Sequence, residues 1–123
     1  MTVASHEAVI RRVGAAVAQD DPAALGAALT ADVVALVDSG GDVLAPILPV
    51  EGRDAVAREL LAALSPRTGA TLTEQRVNGA LALIARRGGR VEAIVSFGLR
   101  RRRIDRVWIV RSPQKLRRWN AIP

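Results

Sequence analysis

The chain has 123 residues, a length that predicts one domain over 1–123 with a basic tail at 112–123. Half of the residues are hydrophobic, yet no segment is long enough to span a bilayer and no signal-peptide pattern begins the chain, so we expect a cytoplasmic protein without a membrane partner. The net charge is +6, there is no Cys, and the one His is His6 near the N-terminus, so we expect no metal site and no cofactor.

The first half of the chain predicts three helices and one strand. Ser5 is the expected N-cap of a first helix, because apolar residues recur after it at helical spacing. Asp20-Asp21-Pro22 ends this helix and begins a short second one, since Asp can cap and Pro suits the first helical position. Val33–Val37 is a β-branched run that predicts a buried strand. Gly52-Arg53-Asp54 opens a third helix, which Ser65-Pro66 ends.

The second half predicts strands joined by tight turns. Strands at 71–77 and 81–86 flank Asn78-Gly79, a strong hairpin signal. A Gly88-Gly89 turn leads to an alternating strand over 91–99, and the arginine run 100–103 separates it from a last strand over 104–111. This order predicts an α+β fold, with three helices packed on one face of a curved, mostly antiparallel sheet.

Three segments carry a resemblance to a known family. The opening VAQDDPAALGAALTADVVALVD resembles the SnoaL-like branch of the nuclear transport factor 2-like superfamily. LVDSGGDVLAPILPVEGRDAVARELL and VNGALALIARRGGRVEAIVSFGLRRRRIDRVWIVRSPQKLRR are similar to the SnoaL-like domains at the C-terminus of extracytoplasmic-function sigma factors. The 38–42 turn departs from that pattern by one missing glycine and an acid in place of a lysine. The last turn carries four arginines where the family pattern has Asp-Gly.

The resemblance implies a cone-shaped, SnoaL-like or cystatin-like fold with a pocket between sheet and helices. It also implies a regulatory module that modulates transcription initiation through contacts with a sigma factor or RNA polymerase, with a response to a ligand left open. The alternative on the same fold is a small-molecule isomerase, cyclase or hydrolase, or a binder of a hydrophobic ligand. A third hypothesis is a homodimer that pairs through its open sheet.

Two carboxylates are the candidate catalytic residues, Asp38 at the end of the first strand and Asp105 in the last strand. A buried carboxylate has a raised pKa, which suits proton abstraction next to a carbonyl. Asp38 can instead form the turn, and Asp105 can pair with an arginine on the sheet surface. Phe97 and Trp108 are the candidate walls of a ligand pocket. Alternation places Asp105 on one face with Val107 and Ile109, and Ile104, Trp108 and Val110 on the other.

The charge distribution indicates acidic partners. Residues 86–123 carry 12 basic and 2 acidic side chains, whereas the residues before them carry 6 basic and 10 acidic ones. Few aromatic rings and no DNA-reading motif argue against direct nucleic-acid binding. Trp119 is either an interface anchor or packs against a helix of the domain itself. The candidate partner-binding residues lie in the first turn, the arginine run and the tail: Asp38, Gly40, Gly41, Arg100, Arg101, Arg102, Arg103, Lys115 and Trp119.

Overall fold

The computed structural model describes residues 2–39, 47, 49–113 and 115–120. Its elements, in chain order, are α1 (Val3–Ala18), α2 (Pro22–Ala27), β1 (Leu29–Asp38), β2 (Pro49–Glu51), α3 (Arg53–Leu64), a 3₁₀ turn (Pro66–Thr68), β3 (Thr71–Val77), β4 (Ala80–Arg87), β5 (Arg90–Arg100) and β6 (Arg103–Val110). The α+β fold class that the sequence predicts is confirmed. None of the described helices is long and apolar enough to cross a membrane.

The helices begin and end at the signals that the sequence carries, with one correction. Thr2 rather than Ser5 caps α1, because the Thr2 hydroxyl accepts a hydrogen bond from the Ser5 backbone N–H at 3.0 Å. Asp21 caps α2 as predicted and accepts from the Ala24 N–H at 3.1 Å. Gly52 precedes α3 at a φ of 93°, a backbone conformation that glycine adopts without a Cβ clash.

The six strands form one sheet in the order β2-β1-β6-β5-β4-β3. The β3–β4–β5–β6 meander is antiparallel, as predicted, whereas β1 pairs with β6 in parallel. β1 begins at Leu29, four residues earlier than the sequence pattern indicates, and its pairing with β6 has a register shift between Leu29 and Val34. The turns at Asn78-Gly79 and Gly88-Gly89 have positive φ at both positions. Asn78 is the one non-glycine residue among these four.

The main core lies between one face of the sheet and α1, α2 and α3. Its side chains are almost all aliphatic, and the largest fully buried ones are Leu25, Leu29, Leu60, Leu64, Leu83, Ile104 and Ile109. Burying a side chain of this size contributes about 1.5–3 kcal/mol to the free energy of folding. Hydrocarbon packing therefore holds the helices on this face of the sheet. The opposite face is called the outer face below.

A β-bulge in β6 changes the predicted grouping of two residues, Ile104 and Asp105, by face. Gly98 pairs with Arg106 and Leu99 pairs with Ile104, so Asp105 is an extra residue without a register partner. The bulge shifts the alternation by one residue. Ile104 therefore joins Val107 on the core face, and the prediction that it shares a face with Trp108 is wrong.

The basic tail folds back over part of the outer face. Leu116 is 3% exposed and forms a second apolar cluster with Ile84 and Ile94, against which Trp119 packs. The Asn120 side chain accepts a hydrogen bond from the Val91 N–H at 2.7 Å and donates to the Val91 carbonyl at 3.0 Å. The tail thus covers the β4–β5 side of the outer face and leaves the β1–β6 side open.

Candidate functional site

The two candidate catalytic carboxylates lie on the outer face and not in the interior. Asp38 follows Val34 and Leu36 along the outer side of β1, and its carboxylate pairs with the Lys115 ammonium of the tail. One carboxylate oxygen of Asp105 lies 3.5 Å from the position that a Cβ would take on Gly98, beside the Trp108 ring. β1 and β6 therefore direct both groups away from the space between sheet and helices.

The one buried acid on the helix side is already paired. Glu7 of α1 is 7% exposed, and both of its carboxylate oxygens accept hydrogen bonds from the Arg76 guanidinium at 2.7 Å. Arg11 lies one helical turn away, at 3.7 Å from the same carboxylate. No other carboxylate is buried in the part of the chain that the structure describes. A charged pair of this kind holds α1 on the sheet, and it is not arranged as an acid–base dyad.

The two candidate pocket walls lie on opposite faces of the sheet. Phe97 pairs with Val107 and packs against the main core. Trp108 pairs with Ser96 on the outer face and remains 39% exposed. The two rings are one residue out of phase and cannot line one pocket, because successive side chains of a strand point to opposite faces.

The exposed ring of Trp108 lies beside an exposed leucine. Leu36 of β1 is the direct register partner of Trp108 in β6 and is 38% exposed. The Trp108 ring also extends over Gly98, where its nearest atom would be 3.5 Å from an added Cβ. We call Val34, Leu36, Ser96 and Trp108 the outer strip. It is a band of three apolar side chains and one serine on the β1–β6–β5 part of the outer face, where Leu36 and Trp108 are exposed.

The candidate partner-binding residues divide between the two ends of this strip. At one end, Asp38 and Lys115 form their ion pair, so the first turn and the tail are brought together. Gly40 and Gly41 lie outside the described residues. Trp119 is half-buried in the tail cluster on the sheet; it neither stands free as an anchor nor packs against a helix.

The arginine run lies at the other end of β6. Residues 104–110 separate the two groups by roughly 20 Å at about 3.3 Å per residue. Arg100 donates two hydrogen bonds to the Asp32 carboxylate, at 2.7 and 3.1 Å. These bonds are the largest cause that lowers the pKa of Asp32 to about 2, and they raise the pKa of Arg100. The structure therefore places the candidate partner-binding residues in two separate groups.

A cleft of about 540 Å³ opens beside this run, between the β5–β6 turn and the start of α3. It is lined by Thr30, Ala31, Arg53 and Arg100–Arg103. Arg53 comes from the first turn of α3, and its Nε donates to the Leu29 carbonyl at 3.0 Å. From the sequence, Arg53 is predicted only to lie where the third helix begins. Its approach to the arginine run depends on the irregular start of β1, for which the sequence carries no local signal.

Sequence comparisons identify no relative: no family model matches the chain, and no curated protein does. Solved structures, in contrast, are similar to the chain. The chain is similar to the Mycobacterium tuberculosis extracytoplasmic function sigma factor SigJ, with a TM-score of 0.66 and 26% identity over 90% of this chain and 43% of that chain. The chain thus spans less than half of the length of SigJ.

Two further structures match nearly end to end. A SnoaL-like protein of unknown function from Burkholderia thailandensis has a TM-score of 0.65 and 18% identity, over 89% of this chain and 96% of its own. An NTF2-like protein from Burkholderia xenovorans has a TM-score of 0.62 and 15% identity, over 98% and 99%. The resemblance read from the sequence is confirmed at the level of fold: this chain has the SnoaL-like fold of the NTF2-like proteins.

Proposed function

We propose that the chain is a regulatory protein-binding module, related to the C-terminal module of extracytoplasmic-function sigma factors, that contacts a sigma-factor or RNA polymerase surface through the outer strip. The observation that carries this proposal is the direct pairing of Leu36 with Trp108 on an open sheet face, each more than one third exposed. Adjacent exposed apolar side chains on a rigid sheet form the kind of patch that binds other proteins.

The strip has the composition expected of an interface centre. Trp is enriched among the residues that contribute most to protein–protein affinity, and here its ring is held against Gly98 by the sheet itself. The strip is flanked by charge, with Arg106 beside it on β6 and the Asp38–Lys115 pair at its end. An apolar centre with a polar rim is the usual anatomy of such surfaces.

The comparison with SigJ supports the choice of partner. SigJ is a sigma factor, and more than half of its chain lies outside the similarity to this protein. We infer that the module acts on a sigma-type partner, in the same chain or in another. The acid–base alternative has weaker support, because Asp38 and Asp105 lie on the outer face and Phe97 and Trp108 do not share a pocket.

Binding to purified sigma regions and to core RNA polymerase from the source organism tests the proposal, by calorimetry or biolayer interferometry. We expect micromolar or tighter binding to the wild-type chain and a loss of about 30-fold in Trp108→Ser, the effect of removing a hot-spot side chain. The control is Val3→Ser, which removes a hydrophobic side chain that is 69% exposed on α1, away from the strip. Absence of binding by the wild type at micromolar concentration would refute the proposal.

Self-association is the competing outcome for the same surface. Light scattering of the wild type and of Trp108→Ser distinguishes it, because a homodimer built on the outer strip dissociates in the variant. A dimer that dissociates in Trp108→Ser, with no binding to sigma regions or polymerase, would assign the strip to a second copy of the chain and reject the heterologous partner.

A further inference from the structure

The cleft beside the β5–β6 turn concentrates positive charge on a bounded surface. Five of its seven lining residues are arginines, and none is a carboxylate. They come from two segments distant in sequence, the turn at 100–103 and the first position of α3. The floor is made by Thr30 and Ala31, at the irregular start of β1.

Most of this charge has no ion-pair partner among the residues that the structure describes. Arg100 is neutralised by Asp32, whereas Arg53 donates through Nε to a backbone carbonyl and forms no ion pair with a described carboxylate. Within the described ranges, Arg101, Arg102 and Arg103 form no ion pair with any carboxylate. Adjacent like charges repel each other, so the cleft is a strong attractor for an anion.

The β5–β6 turn has an arginine at a position where the backbone conformation favours glycine. Arg101 has a φ of 60°, in the left-handed region that a non-glycine residue rarely adopts. The two neighbouring hairpins use Asn78-Gly79 and Gly88-Gly89 for their turns. Because strained backbone positions cluster at binding and active sites, the arginine at this position is consistent with a binding role for its side chain.

The protein's own contacts indicate which anion fits. At the edge of the cleft the Asp32 carboxylate meets Arg100 through two parallel hydrogen bonds, the geometry in which guanidinium recognises carboxylate. The cleft volume is that of a short segment or a small ligand, not of an extended track. An adjoining depression that shares Arg53 is lined by Glu51 and Asp54, which would repel any anionic chain that continues past the cleft and so limit the ligand to a short segment.

We propose that the cleft formed by Arg53 and Arg100–Arg103 binds an acidic protein segment that presents several closely spaced carboxylates. The proposal goes beyond the proposed function and does not depend on it, because the cleft lies at the end of the sheet away from Lys115 and can be tested without any sigma or polymerase surface.

Fluorescence anisotropy with fluorescein-labelled hexaglutamate tests the proposal on the full chain at about 50 mM salt, where screening is weak. We expect saturable binding to the wild type and at least about a tenfold loss of affinity in Arg102→Glu/Arg103→Glu. The matched control is Arg117→Glu/Arg118→Glu, which makes the same change in net charge on exposed residues of the tail. We expect this control to lose less than about threefold, and far-UV circular dichroism checks that both variants fold.

Each remaining outcome overturns the proposal. Equal losses in the two variants would mean that the peptide responds to net charge and to no particular site. An unchanged affinity in Arg102→Glu/Arg103→Glu would place the binding elsewhere. A labelled single-stranded oligonucleotide of equal charge that binds more tightly than hexaglutamate, and is lost in the same variant, would assign the cleft to nucleic acid.

Discussion

The backbone strain at Arg101 leads to a quantitative prediction for the β5–β6 turn. A non-glycine residue in the left-handed region costs about 1–2 kcal/mol, a cost that glycine avoids. Arg101→Gly recovers that energy but adds flexibility to the unfolded chain, which opposes it by about 0.4–1 kcal/mol. We therefore expect Arg101→Gly to raise the free energy of unfolding by about 1 kcal/mol, a shift of roughly 3–6 °C in Tm for a domain of this size.

The control is Arg102→Gly, at the neighbouring turn position, where φ is not positive. It removes the same charge and adds the same flexibility, so it isolates the contribution of φ at Arg101. We expect it to lower stability by about 0.5–1 kcal/mol. Urea unfolding followed by circular dichroism measures both variants, and the linear extrapolation gives the difference. Equal shifts in the two variants would refute the argument, because relief of arginine repulsion would then explain the whole effect.

Two further predictions concern the tail and the arginine cluster. Asn120→Ala removes two hydrogen bonds to β5 and should lower the free energy of unfolding by about 1–2 kcal/mol, as measured by urea unfolding. The control is Arg118→Ala, a substitution of an exposed tail residue. Equal free energies of unfolding in the two variants would show that the tail is not docked on the sheet. The pKa of Asp32 is lowered to about 2 in the folded chain by its hydrogen bonds from Arg100, so its stabilising contribution is present above the ordinary carboxyl pKa and is lost as the pH falls toward 2. The stability difference between the wild type and Asp32→Asn should therefore be constant above about pH 5 and shrink progressively between about pH 5 and pH 1; a difference as large at pH 2 as at pH 7 would contradict this assignment.

The surface that we assign to partners illustrates how one residue can redirect a prediction. Simple alternation predicts that Asp105 shares a face with Val107 and Ile109. The bulge at Asp105 inserts one residue into β6 opposite Gly98, and the faces of the residues before it are exchanged. Ile104 becomes buried and Asp105 turns outward. A bulge depends on the fit between two strands, so β6 alone cannot reveal it.

The partner-binding residues show the same dependence on long-range contacts. Asp38 and Lys115 are both predicted to meet a partner, yet they meet each other across the outer face. Trp119 has no core to join when the tail is read alone, and it acquires one only when Leu116 lies on Ile84 and Ile94. Local sequence patterns describe a side chain's character but not its distant neighbour.

The sequence by itself determined the fold class and most of the elements, because these follow from local physics: the 3.6-residue period of the helices, the N-cap at Asp21 before Pro22, and the turn residues at Asn78-Gly79 and Gly88-Gly89. Only the tertiary structure decided which face each β6 residue occupies, which half of the outer face the tail covers, and that Arg53 joins the arginine run at one cleft. Those outcomes depend on strand register and on contacts between residues far apart in the chain. Periodicity carries no information about either.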